Sequence, residues 1–177
     1  MSLHDLTLAA VIDEFRKTRA YAEKALAQLS DEDFFFRLGD QQCSIAAYVR
    51  HLAGNMRSRW TDFLTSDGEK PDRNREGEFA EQVVPRDQLM SIWNGGWSVV
   101  FDALASLQLG DLEKTVYIRN EPHSVIQAII RQIAHYAWHV GQIVLLAKHI
   151  RTARGEPWSY MTIPPGQSAA FNGSKGV

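Results

Sequence analysis

The chain has 177 residues, of which 45% are hydrophobic, enough to build the core of one ordinary globular domain. Its net charge of −2 excludes the strongly basic profile of a nucleic-acid-binding protein, so no nucleic-acid partner is expected. Cys43 is the only cysteine, which excludes an intrachain disulfide and suits a reducing compartment; a buried, inert thiol is the expected state.

The opening Met1-Ser2-Leu3-His4-Asp5 lacks the basic and apolar blocks of a signal peptide. The first helical pattern runs from about residue 5 to 29, with Leu8, Val11, Ile12, Phe15, Ala22, Leu26 and Leu29 at helical spacing. Ser30-Asp31-Glu32-Asp33 ends it. A second helix is expected from Ser44, a suitable N-cap, to about Leu64, where Thr65-Ser66-Asp67-Gly68-Glu69-Lys70-Pro71 breaks the pattern. A third starts near Pro85 and reaches Leu107; its Gly95-Gly96 pair predicts a bend or a close helix crossing. Thr115-Val116-Tyr117-Ile118 can form a short extended piece, but no strand alternation is evident. The fourth helix follows Pro122 and covers 123–151, and 152–177 read as an ordered loop tail fraying at Gly173-Ser174-Lys175-Gly176.

Four long helices make an all-α four-helix bundle the economical fold, with one domain over 1–177. The connection between helices two and three is about twenty residues, long enough to cross the bundle and leave those helices parallel. The most apolar stretch, Val125 to Leu146, is interrupted by Arg131, Gln132, His135, His139 and Gln142, which argues against a membrane span. A cytoplasmic protein without a membrane partner is expected.

On a helical wheel, Ile126, Ile129, Ile133, Ala137, Val140, Val144 and Ala147 gather on one side of the fourth helix. Arg131, Gln132, His135, His139 and Gln142 gather on the other, with Trp138 at the margin. A helix with both sides chemically occupied is expected to be covered on both, which motivates a homodimer. His135 and His139 lie four apart, one turn from each other on one face, and can share a divalent metal. On the second helix, Ser44, His51, Asn55, Ser58 and Asp62 form a polar line; if the two helices are neighbours, His51 completes a three-histidine site with an open coordination position. Asn55, Gln132 and Gln142 are the nearest candidates to hold the second ring nitrogens. The intervening Tyr136-Ala137-Trp138 lacks the glutamate of an HExxH motif, so the pair brings no general base of its own. Trp60, Trp93, Trp97 and Trp138 are candidates to wall an apolar pocket, with core as the ordinary reading of aromatic residues at this spacing.

Tyr48-Val49-Arg50-His51-Leu52-Ala53-Gly54-Asn55, followed by His135-Tyr136-Ala137-Trp138-His139-Val140-Gly141-Gln142-Ile143, resembles the DinB/YfiT-like superfamily. The crossover Arg59 to Pro71 and the tail Thr162-Ile163-Pro164-Pro165-Gly166-Gln167-Ser168 resemble one uncharacterised branch of it. The resemblance implies a bundle of up-down-down-up topology, commonly dimeric, with His51, His135 and His139 holding zinc, nickel or another divalent ion. It further implies either transfer chemistry with a low-molecular-weight thiol or metal-assisted hydrolysis of a small-molecule substrate. Arg73, Arg75 and Arg131 are candidates to clamp a carboxylate or phosphate, and Asp62 and Glu78 are the acids to test as a general base. The alternatives are a noncatalytic bundle binding a metal or ligand, and a metal-free bundle with buried histidines.

Overall fold

The computed structural model describes residues 2–80 and 82–175. The chain is mostly helical, with six α-helices and a two-stranded sheet among the described residues. Helix α1 (Leu3–Leu26) starts from a capping box in which Ser2 and Asp5 satisfy each other's backbone N–H groups. A 3₁₀ turn, Glu32–Phe35, then carries Phe34 into the core and buries Asp33. Asp33 is held there by a two-point ion pair with Arg154 from the far end of the chain, at 2.5 and 3.2 Å.

Helix α2 (Ile45–Trp60) begins at Ser44, whose hydroxyl accepts from the Ala47 N–H. Thirteen of its sixteen residues are buried, the polar line His51, Asn55 and Ser58 included, so it is the central helix of the fold. It ends four residues earlier than its apolar spacing predicts, in a turn where Asp62 takes a left-handed φ of +48°. The crossover contains the short helix α3 (Arg75–Phe79), capped by the Asn74 side chain on the Gly77 N–H. Helix α4 (Arg86–Ser106) starts directly after Pro85 and runs unbroken through Gly95-Gly96. Of the expected alternatives the close crossing is realised. Gly96 faces α2, where a Cβ would lie 2.9 Å from the Ala53 Cα, whereas Gly95 faces open space.

Strands β1 (Thr115–Ile118) and β2 (Glu121–Ser124) form an antiparallel hairpin; β1 is the short extended piece expected there, whereas β2 was not expected. Arg119 and Asn120 make its turn at φ +56° and +63°, the conformation of a two-residue hairpin loop. The second strand also displaces the start of the last long helix. Helix α5 (Val125–Ala153) begins at a Ser124/Gln127 capping box, two residues later than read from Pro122. The tail likewise carries a further short helix, α6 (Ser168–Ser174), where a loop was expected. The expected fraying covers Gly173 to Lys175, of which the first two are helical; Gly176 lies outside the described residues.

The long helices pack α2 on α4 and α1 on α5, with α2 also against α5 and α1 against α4. Their shared core centres on Phe15, Trp60, Trp97 and Tyr136, which meet mostly edge to face with centroids 5.6–6.2 Å apart. The Trp60 indole donates to the Tyr136 hydroxyl (2.9 Å), which donates to the Asn55 side-chain oxygen (3.2 Å), so these three buried groups satisfy one another. No helix among the described residues is long and apolar enough to cross a membrane.

Candidate metal centre

Helices α2 and α5 bring His51, His135 and His139 together. One ring nitrogen from each lies within 4.8 Å of the other two, and the rings meet nearly edge to face. The Nε2 atoms of His51 and His135 are 3.4 Å apart. Two imidazoles on one tetrahedral zinc, each with Zn–N of about 2.0–2.1 Å, place their nitrogens about 3.3 Å apart. The donor set therefore fits a divalent ion.

Hydrogen bonds at the opposite ring nitrogens orient two of the three rings. His51 Nδ1 lies 2.9 Å from Glu78 Oε2, and His139 Nδ1 lies 2.7 Å from Gln142 Oε1. Both partners accept, so each Nδ1 carries the proton and each Nε2 keeps its lone pair for a ligand. Burial drives the pKa of His135 down to about 3, with the neighbouring His139 and His51 adding to the effect. Burial also lowers that of His139, partly offset by Gln142. His135 and His139 are thus neutral near pH 7, the form that binds metal.

Glu78 sits at the end of α3, under α2, with its side chain 9% exposed. Its carboxylate receives Arg73 at two points, Nε on Oε1 and Nη2 on Oε2, both 2.8 Å. Burial raises its pKa, but His51 and Arg73 together pull the carboxyl below its ordinary value. Arg73 in turn lies 3.5 Å from Glu69, which also pairs with Arg59 (2.9 Å) and Arg119 (3.1 Å). Gly54 makes room for this arrangement: a Cβ there would lie 2.7 Å from the Glu78 Cδ.

A cavity of about 520 Å³ opens over the three histidines. Arg59, Arg75, Arg119, Arg131, Gln132 and Trp138 line it, with the Phe79 ring 4.5 Å from that of His51. The structure separates the remaining candidates. Arg75 and Arg131 face this cavity, whereas Arg73 and Asp62 line a neighbouring one on the other side of Glu78. Asn55 serves Tyr136 and makes no contact with a histidine ring nitrogen; Gln132 is buried beside the cavity with its Oε1 unpaired. The buried stripe of α5 is rotated from its expected course: Gln132 and Tyr136 lie on it, while Ala137 and Trp138 are exposed. Arg59 and Arg119 escaped sequence reasoning. The one sits inside an apolar helix and the other on a hairpin whose Asn-containing turn was the only local signal.

The model of a family described as a protein of unknown function (DUF1572) matches residues 3–167, and the chain belongs to that family. A search of curated proteins finds no match.

Proposed function

We propose that the chain is a divalent-metal-dependent enzyme of the DinB/YfiT type, with His51, His135 and His139 as ligands, acting on a small molecule. The observation that carries this is the convergence of three imidazoles beneath an open cavity, two of them oriented through Nδ1. Zinc or nickel is the expected ion. When bound there, it supplies a Lewis acid that lowers the pKa of a water or thiol ligand.

The chain's own residues divide the remaining work. Glu78 and Gln142 hold His51 and His139 in the tautomer that ligates, and Arg73 fixes Glu78. Glu78 is thereby committed as a positioning residue and is not free to act as a general base. Among the described residues, those lining the cavity include no carboxylate. A metal-bound water and a metal-bound thiol both become nucleophiles by ionisation, so the chemistry proposed is thiol transfer or hydrolysis. Metal analysis followed by thiol-transfer and esterase assays on the loaded protein tests the reading. Full occupancy with neither activity would favour a noncatalytic metal-binding protein.

The helix contacts support a four-helix bundle of up-down-down-up topology forming one domain; a cytoplasmic location is proposed from the single cysteine and the polar breaks in α5. An exposed stripe on α5, Ile130, Ala134, Ala137, Trp138, Gly141 and Leu145, supports a homodimer, since small residues let a second copy approach closely. Sedimentation as a 20 kDa species at micromolar concentration would contradict it.

A further inference from the structure

The charges around the histidine cavity do not balance. Arg59, Arg75, Arg119 and Arg131 line it, and among the described residues the carboxylates paired with them are Glu69 and Glu76, a surplus of two positive charges before any metal is added. The carboxylates are also unevenly placed. Glu69 and Glu78 are committed to Arg59, Arg73 and Arg119 on the protein side. Glu76 is 85% exposed, so its pairing with Arg75 is weak. Arg131 has no hydrogen bond or ion pair among the described residues. It lies on the lining one helical turn before His135, so its guanidinium and the open side of the histidine cluster share one face of α5.

Two residues of the same lining are buried and each leaves one polar atom unpaired among the described residues, as Trp97 Nε1 does in the core. Arg59 is 6% exposed and its Nε–H has no acceptor; Gln132 is 4% exposed and its Oε1 has no donor. Unpaired polar atoms at such depth are costly unless something enters to meet them. Trp138 and Phe79 supply flat apolar walls for the body of a small molecule.

We propose that this cavity binds a small molecule through a carboxylate or phosphate-type group held by Arg131, with Arg119 and Arg75 at its rim. The inference rests on the histidine cluster being the reactive centre, since it sets which end of the molecule reaches the metal. A guanidinium fork suits both kinds of anion, because each offers two oxygens for parallel hydrogen bonds.

The test is calorimetric titration of apoprotein and zinc-loaded protein with phenylphosphonate, benzoate and, as an uncharged control, benzyl alcohol. The anions are expected to bind and benzyl alcohol to bind at least tenfold more weakly; whichever anion binds more tightly names the group. Arg131→Gln should weaken the anion at least tenfold, and Arg131→Lys should recover part of the loss. Arg151→Gln removes a charge that pairs with Glu156 away from the cavity, and should leave affinity unchanged. Equal affinity in R131Q and the unmodified protein, or an equal loss in R151Q, would overturn the proposal. Zinc uptake on the same samples separates the two readings. Phosphonate binding that depends on Arg131 without zinc uptake leaves the anion site standing and removes the metal. Zinc uptake without anion binding does the reverse.

Discussion

Replacing Glu78 by Gln removes a charge and keeps the shape, at a position serving two partners with different readouts. His51 loses the carboxylate 2.9 Å from its Nδ1, and Arg73, 4% exposed, loses its two-point partner. Loss of the group that orients a ligating histidine costs about 10- to 100-fold in metal affinity, equivalent to about 1.4–2.7 kcal/mol. Breaking a buried ion pair from one side costs about 3–5 kcal/mol of stability, and the low end applies here because Glu69 remains 3.5 Å from Arg73. Zinc affinity by competition with a chromogenic chelator, and stability by urea denaturation of the apoprotein, read the two effects separately. Glu69→Gln is the control, because it touches Arg73 and leaves His51 alone. It should lower stability while zinc affinity stays within about twofold, well short of the loss in E78Q. If E78Q binds zinc as tightly as the unmodified protein, or E69Q weakens it equally, the orienting role of Glu78 is refuted.

Gly54→Ala drives a methyl into the Glu78 carboxylate and should weaken zinc by roughly tenfold through that displacement; an unchanged chelator competition curve would contradict the packing. Gly96→Ala should destabilise by about 1–3 kcal/mol because α4 crosses α2 there, while Gly95→Ala, facing open space, should stabilise by about 0.5–1 kcal/mol. Urea midpoints of the two variants would then move in opposite directions. Asp33 gives an acid-stability prediction. Burial raises its carboxyl, but Arg154 and the Ser30 N–H bring it below the ordinary 3.8. Its stabilisation is therefore fully present above pH 3.8 and is lost as the pH falls through the lower folded-state value. Asp33→Asn should flatten that part of the stability-against-pH curve, and an equally steep loss in the variant would refute the assignment.

Local periodicity carried much of the site. His135 and His139 are one turn apart on any helix, and His51 stands on a helix started by Ser44, so the trio needed only that α2 and α5 be neighbours. Glu78 was legible as an acid worth testing but not as the partner of His51, because its position depends on contacts distant in sequence. Asp67 accepts from the backbone N–H groups of Arg119 and Asn120, and the Gly68 N–H donates to the Tyr117 carbonyl. Those bonds fasten the crossover to a hairpin some fifty residues later, and so set where α3 lies. Arg119 reaches the cavity by the same route. The boundary errors have a related cause: Leu64 and Pro122 satisfy helical spacing or helix-start rules, but tertiary contacts recruit them into a turn and a strand.

The most direct measurement is the metal content of untagged protein purified without added metal, by elemental mass spectrometry. His51→Ala, His135→Ala and His139→Ala would be analysed in parallel, with helical content checked by circular dichroism. The expected result is close to one divalent ion per chain in the unmodified protein and none in any folded variant. Full occupancy surviving the loss of any one histidine, or no uptake of zinc, nickel or manganese by the unmodified protein, would contradict the three-histidine centre.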